Sequence, residues 1–353
     1  MGDLIINRHE DQKYSVLFNK RTGFFARIED EFGAEPFWAE NGPELLDIAI
    51  TNYCQKGCNF CYRQSNVHGK HMPLSDYQNL IEQARNLGVL QIALGGGNPN
   101  QHPEFIRFLK ITREYGIIPS YTTNGDGLTK EILQATREYC GAIAVSAYKP
   151  YINMDDIIDV ISHYGIKINV HFIVSLETIE IAIDWLQSPP SFFNKINAII
   201  FLNYKPINAN SDYTLCKSEQ LQQFFSLIRN NRYKFRIGFD SCFISGIVSN
   251  LKVKSIYIDS CDSARFSAFI SEDMKMFPCS FMINSKAFGD LRQNSILDIW
   301  KSNDLFNNHR NKIKGNKCQS CCLEQDCKGG CVFLPQINLC NITSVALFLL
   351  KVL

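Results

Sequence analysis

The sequence predicts an α/β fold: a partial (β/α)6, TIM-like barrel with a small cysteine-rich domain at its C-terminal end. Three observations carry this. Short, nearly continuous apolar runs alternate with segments of helical period, as expected of parallel strands covered on both faces. The strand starts recur about every 25–30 residues, the spacing of repeated βα units. The 14 cysteines fall into two groups, three between Cys54 and Cys61 and eight between Cys261 and Cys340, with Cys140, Cys216 and Cys242 scattered. Roughly 185 residues are available for the repeating part, against about 250 in a full eight-unit barrel, so six units are expected.

Taken in order, residues 14–18 and 23–28 flank Asn19-Lys20-Arg21-Thr22 and read as a β-hairpin, a small lid or edge addition spanning residues 1–43. The barrel is assigned to residues 44–245, with strands at 46–50, 90–94, 118–122, 142–146, 167–174 and 198–202. Ser75-Asp76-Tyr77-Gln78 reads as a capping box opening the first helix, which Gly88 stops. His102-Pro103-Glu104 starts the second, stopped by Gly116. Helices over 129–139, 154–164, 177–187 and 218–230 complete the set. Residues 246–353 form the cysteine-rich region, whose apolar tail from Val345 to Leu353 reads as a packed terminal helix.

Composition limits the function classes. Lys+Arg 36 against Asp+Glu 35 leaves a formal charge of +1, which argues against duplex nucleic acid or an anionic membrane surface as partner. The start, Met1-Gly2-Asp3-Leu4, has no basic n-region and apolar run, and no stretch is long enough to span a bilayer. A cytoplasmic location is therefore expected, where thiols stay reduced and hold metal rather than form a disulfide framework.

Cys54-Gln55-Lys56-Gly57-Cys58-Asn59-Phe60-Cys61 is a C-x3-C-x-aromatic-C run just after the first strand. Three thiolates on one loop hold three irons of a 4Fe–4S cube and leave the fourth open, whereas electron-transfer clusters take four cysteines. Structural zinc wants four closed ligands. The run resembles that of the radical S-adenosylmethionine (radical SAM) superfamily, including Phe60 before the last cysteine. The resemblance continues through Gly95-Gly96-Gly97-Asn98-Pro99 after the second strand, Thr123-Asn124-Gly125 after the third and Ser146 after the fourth. It implies that Gly96, Gly97, Asn98, Pro99, Asn124 and Ser146 contact SAM. Asn98 stands where the family often has Glu; its amide oxygen accepts from an ammonium group but supplies no charge. Alternatively, the glycine-rich turn serves only to admit close backbone packing. His171 is added because strand alternation puts it on one face with Asn169, and that face could be the barrel interior; a structural histidine is the plainer reading. Asn203-Tyr204-Lys205, Tyr62, Arg63, Asp240 and Cys242 are weaker candidates.

Cys318-x2-Cys321-x5-Cys327-x3-Cys331, followed by Cys340, is a dense ligand array in a segment poor in apolar residues, which needs metal to fold. With Cys261 and Cys279 it resembles the SPASM extension of radical SAM enzymes that modify peptides and proteins. The resemblance implies two auxiliary 4Fe–4S clusters, one on Cys261, Cys279 and Cys331 and one on Cys318, Cys321, Cys327 and Cys340. The first set lacks a fourth ligand: Cys242 supplies it, or an iron stays open for substrate, with adjoining Cys322 a weaker candidate. Zinc is the simpler alternative. Met274 replaces the glycine usual five residues before Cys279, so its turn either avoids φ > 0 or takes strain. Ser280 replaces the acid that serves as base in the sulfatase-maturing branch.

The expected function is reductive cleavage of SAM to a 5′-deoxyadenosyl radical that abstracts hydrogen from a peptide or protein. A reductase or flavodoxin-type protein would donate electrons. The same chemistry on a sugar or nucleotide derivative, or a non-catalytic iron–sulfur or zinc scaffold, are the alternatives.

Overall fold

The structure is a computed structural model describing residues 3–31, 36–149, 151, 153–208, 210–251, 253, 258–315, 318 and 321–340. The terminal helix expected from Val345 onward lies outside the described residues.

The N-terminal extension is a three-stranded antiparallel sheet rather than a hairpin: β1 (Leu4–His9), β2 (Tyr14–Asn19) and β3 (Phe25–Glu29), in that order. β1 escaped the sequence reading because Leu4 and Ile6 alternate outward, 49% and 60% exposed, and blur its pattern. The sheet is not a lid. β2 buries Tyr14, Val16 and Phe18 against Leu90 and Ile118, at the N-terminal ends of two barrel strands, so it closes the barrel floor. The Asn7 side-chain amide donates to the Gly88 carbonyl at 3.2 Å and fixes this docking.

The barrel runs β4 (Leu45–Thr51), α1 (Leu74–Asn86), β5 (Gln91–Gly96), α2 (Phe105–Glu114), β6 (Ile118–Thr123), α3 (Lys130–Tyr139) and β7 (Ala142–Ala147). It continues through α4 (Met154–Ser162), β8 (Ile168–Val174), α5 (Ile179–Gln187), β9 (Ala198–Asn203), α6 (Glu219–Asn230), β10 (Arg236–Phe239) and α7 (Ile244–Asn250). All six expected strands form. β10 is a seventh, too short at four residues to announce itself, and pairs in parallel with β9. Each helix lays one stripe on the sheet; α2 buries Phe105, Phe108, Leu109, Ile111 and Thr112, the spacing of one helical face. Thr129 and Ser218 cap α3 and α6 by accepting from the Ile132 and Leu221 amides.

The capping box at Ser75 does not form. α1 begins at Leu74 behind extended Pro73 (φ −60°), with no side-chain cap. The Met72 amide donates to the Ile50 carbonyl at 2.8 Å, and this contact sets the helix entry one residue ahead of Ser75.

Beyond the barrel, β11 (Ser267–Ile270) pairs in parallel with β4, and β12 (Lys275–Phe277) and β13 (Gly289–Asp290) add antiparallel strands. Among the described residues the main sheet thus has ten strands, in the order β10-β9-β8-β7-β6-β5-β4-β11-β12-β13. It does not close on itself. α8 (Ile296–Ser302), α9 (Asp304–Lys314) and the short α10 (Glu324–Cys327) follow. In the turn between β11 and β12, Met274 takes φ +68° while its side chain is buried, so the turn does adopt the strained backbone that glycine would have taken freely.

Candidate active site and metal centres

At the C-terminal ends of the barrel strands lies a cavity of about 390 Å³. The loop after β4 brings Cys54, Cys58, Phe60 and Cys61 to it; β5 contributes Gly96 with the following Gly97, and Asn124, Ser146 and His171 arrive from the next three units. Sheet topology therefore gathers residues spread over more than a hundred positions onto one face, where barrel enzymes build their sites.

The loop holds its shape through backbone bonds: Cys54 N donates to Asn66 O and Cys61 N to Cys58 O, both at 3.0 Å. The three thiols feel one another. Burial raises the Cys58 pKa, Lys56 opposes this, and the charges of Cys61 and Cys54 add to it. The Asn124 amide nitrogen lies 3.7 Å from Cys54 Sγ and donates to it. An all-sulfur donor set with one amide donor and a lysine nearby suits thiolates holding iron.

The glycine-rich segment packs directly on this loop. Gly97 N donates to Thr51 O at 2.7 Å and Asn98 N to Tyr53 O at 2.9 Å. A Cβ at Gly96 or Gly97 would sit 2.0 Å from the carbonyl oxygens of Thr51 or Tyr53 respectively. These two glycines thus admit the close approach and also wall the cavity. Asn98 stands apart from the cavity wall. It is 1% exposed and does not line the cavity. Its oxygen accepts from the Thr123 hydroxyl (3.1 Å) and the Asn124 amide (3.3 Å), and its nitrogen donates to Asp126 O (2.9 Å). Its side chain thus turns inward and braces the turn after β6. Pro99 is likewise buried, starting a short 3-10 turn away from the cavity.

His171 does face the barrel interior, and enclosure by protein pushes its pKa down to about 4. It is neutral at working pH. Phe60 meets Tyr148 edge-on at 5.0 Å, and Tyr148 hydrogen-bonds with Ser146. Lys205 pairs with Asp240, and its ammonium lies 4.8 Å from the centre of the Phe281 ring.

Sequence reading missed Asp47 and Tyr148. Asp47 is half-buried and open only toward cavities, with burial raising its pKa to about 6 against the pull of Arg63. Arg63 itself pairs with Glu272 beyond the barrel. The available signal was a lone acid inside the apolar strand Leu45-Leu46-Asp47-Ile48-Ala49.

A second cavity, about 790 Å³, opens between β10 and β11, where the sheet fails to close. Cys242, Cys261, Cys279 and Cys331 all line it. Burial raises Cys261 to about 12, and the Cys242 charge acts on both Cys261 and Cys279. Cys318, Cys321, Cys327 and Cys340 make another group: Cys340 and Cys321 act on Cys318, and Cys340 and Cys318 act on Cys327, which burial lifts to about 11. Cys322 is exposed. Among the described residues no three His, Cys, Asp or Glu side chains converge on a single-ion site. No helix among the described residues is long and apolar enough to cross a membrane.

Comparison with known proteins agrees with this geometry. The model of the radical SAM superfamily matches residues 48–180, and the SPASM model, an iron–sulfur cluster-binding domain, matches residues 261–327. PqqA peptide cyclase of Ruegeria pomeroyi is 30% identical over 105 residues, 29% of this chain and 28% of that protein. The chain thus spans little more than a quarter of that curated relative. Mycofactocin maturase MftC of Mycobacterium tuberculosis is 22% identical over 324 residues, 83% of this chain and 79% of the relative. Among solved structures, Streptococcus suis SuiB bound to S-adenosylmethionine superposes with a TM-score of 0.73 at 17% identity, covering 97% of this chain and 98% of that one. The same enzyme bound to its precursor peptide SuiA superposes at 0.70. The SPASM match describes an iron–sulfur cluster-binding domain rather than a zinc module over residues 261–327. The chain thus carries a radical SAM region over residues 48–180 and, C-terminal to it, a SPASM region over residues 261–327.

Proposed function

We propose that the protein cleaves S-adenosylmethionine reductively and uses the 5′-deoxyadenosyl radical to abstract hydrogen from a peptide or protein side chain. The observation that carries this is the set of three thiols, and no fourth, on a loop facing the cavity at the barrel's strand ends. The relatives named for peptide maturation, and SuiB with its precursor peptide, support a peptide substrate.

Cys54, Cys58 and Cys61 would hold a 4Fe–4S cluster, which when bound with SAM at its open iron supplies the electron that breaks the sulfonium C–S bond. The protein's own part is positioning. Gly96 and Gly97 let SAM lie against backbone, and Asn124 and Ser146 offer hydrogen bonds along the same wall. Neutral His171 donates one hydrogen bond and accepts another without adding charge. Phe60 and Tyr148 form an aromatic gate toward an adjoining cavity of about 410 Å³ lined by Tyr151, Tyr204 and Tyr213, a suitable entrance for a side chain. Enclosure excludes water that would quench a radical.

Residues 1–43, 44–245 and 246–353 serve as floor, catalytic barrel and auxiliary domain in this reading. The two C-terminal thiol groups would hold auxiliary 4Fe–4S clusters. A flavodoxin-type donor in the cytoplasm would deliver electrons. Anaerobic reconstitution tests the proposal: with dithionite and SAM the holoprotein should release 5′-deoxyadenosine and methionine and contain about twelve irons. Failure to exceed a Cys54/Cys58/Cys61→Ala control in 5′-deoxyadenosine would falsify it.

A further inference from the structure

We infer that Cys242 is the fourth protein ligand of the auxiliary group formed by Cys261, Cys279 and Cys331, so that no iron there is left open for substrate. The inference rests on the iron–sulfur reading of the SPASM region. Four separate elements deliver these thiols: the 3-10 turn Ser241–Phe243 after β10, the loop before β11, the second residue after β12 and the segment after α10. All four line one cavity, in which the Cys242 and Cys331 side chains act directly on one another. The Cys242 charge reaches both Cys261 and Cys279, which are themselves near Cys331.

Independent bonds fix Cys242 in this place. The Asn203 amide donates both to the Cys242 carbonyl (3.2 Å) and to the Ile337 carbonyl (3.0 Å). The Leu339 amide donates to Ser245 Oγ at 2.8 Å. The turn carrying Cys242 is thereby bolted to the segment carrying Cys331. Lys205, paired with Asp240, faces both Cys242 and Cys279 and offsets the charge of gathered thiolates. The other unassigned thiols are elsewhere: Cys216 and Cys322 are exposed, and Cys140 packs near Tyr77 and Tyr121. Cys242 precedes Cys261 by a long stretch with no ligand-like spacing, so only the return of β10 to the open sheet edge reveals it.

With that site closed, substrate meets side chains rather than iron. Asp47 and Phe281 line both the barrel cavity and the auxiliary cavity and form the partition between them.

The test uses the full chain, reconstituted anaerobically, in the Cys54/Cys58/Cys61→Ala background so that only auxiliary clusters remain. This parent should hold about eight irons, and cyanide should leave the EPR spectrum of its dithionite-reduced clusters unchanged. Adding Cys242→Ala should either lower iron by about four or make one cluster's g-values respond to cyanide. Cys242→Ser, which keeps an oxygen ligand, should retain iron with a shifted spectrum. Cys322→Ala should match the parent. A parent spectrum already moved by cyanide overturns the inference, as does a Cys242→Ala variant identical to the parent, or a Cys322→Ala variant that shows the loss instead. If Cys242→Ala does not fold, the parent's cyanide response still decides. A parent without any iron overturns the iron–sulfur reading itself, whereas each of the preceding failures leaves that reading standing.

Discussion

From β4 to β10 one apolar core runs between parallel strands and the helices covering them, with residues such as Ile48, Ile92, Val145, Phe172 and Phe201 at most 1% exposed. Between Cys321 and Cys340 the buried apolar side chains, apart from Cys327, are Leu334, Ile337 and Leu339, and the helix there has four residues. The barrel's thiols sit on a fold rich in buried apolar surface, whereas a segment that buries so little is expected to owe its shape to what its thiols hold. On that expectation sulfur plays two parts: in the barrel it equips a fold already built, and in the C-terminal segment it builds the fold.

Cysteine replacement gives the largest test of that contrast. Cys54/Cys58/Cys61→Ala is expected to reduce 5′-deoxyadenosine formation to background while circular dichroism and the thermal transition of the barrel stay unchanged. Cys318/Cys327→Ala should do the reverse locally: hydrogen exchange and proteolysis should open residues after Lys314, with the barrel amides still protected. Loss of barrel protection in that second variant would show that the two regions do not fold separately.

Gly97→Ala should come next. Its Cβ would lie 2.0 Å from Tyr53 O, so the cluster loop must move. A displacement of about 1 Å in a positioned group costs about 100-fold in rate, and SAM cleavage should fall by that order. Measuring melting temperature alongside separates misplacement from unfolding.

Asp47 gives a pH-dependent effect. Its folded pKa is raised from 3.8 to about 6, so between those values the folded state keeps a proton that the unfolded state has released. Stability from this group is therefore greatest below the unfolded pKa and falls as pH rises through about 6, by up to about 3 kcal/mol. Asp47→Asn should remove that decline and be the more stable protein above pH 6, read as the difference in melting temperature across pH 4–7. Glu44, raised to about 6 by burial beside Arg27, is common to both proteins and cancels in the difference.

The smallest effect is expected at Gly57. It has φ +57°, and a Cβ added there would find nothing within 4 Å, so Gly57→Ala meets backbone strain alone. About 1 kcal/mol should be lost, with SAM cleavage retained. A total loss of activity would mean that the turn itself contacts cofactor.

Much of the barrel was legible because its signals are local. Continuous apolar runs marked β4 through β9, and Gly88, Gly116 and Gly165, each at positive φ, marked the ends of the helical segments. Ser75 misled because a capping sequence is only an opportunity, and the docking of Met72 on Ile50 had already placed the helix start. The lid reading failed for a related reason: β2 shows which residues are apolar, not which end of the barrel they meet. Asn98 matches the motif by position, yet its amide bonds to the Thr123–Asp126 turn, a partnership that position in a motif does not reveal.

What the sequence determined by itself is the inventory and its spacing: three thiols on one loop, a glycine-rich turn after the next strand, and the cysteine array from Cys318 to Cys340. Such features depend on neighbours a few residues apart, so they survive without a fold. Only the tertiary structure decided which thiols share a cavity, that Asn98 faces inward, and that Asp47 stands between two chambers. The first and third arise where β10 and β11 leave the sheet open, the second where the segment after β5 meets the turn after β6, and each joins segments far apart in the chain.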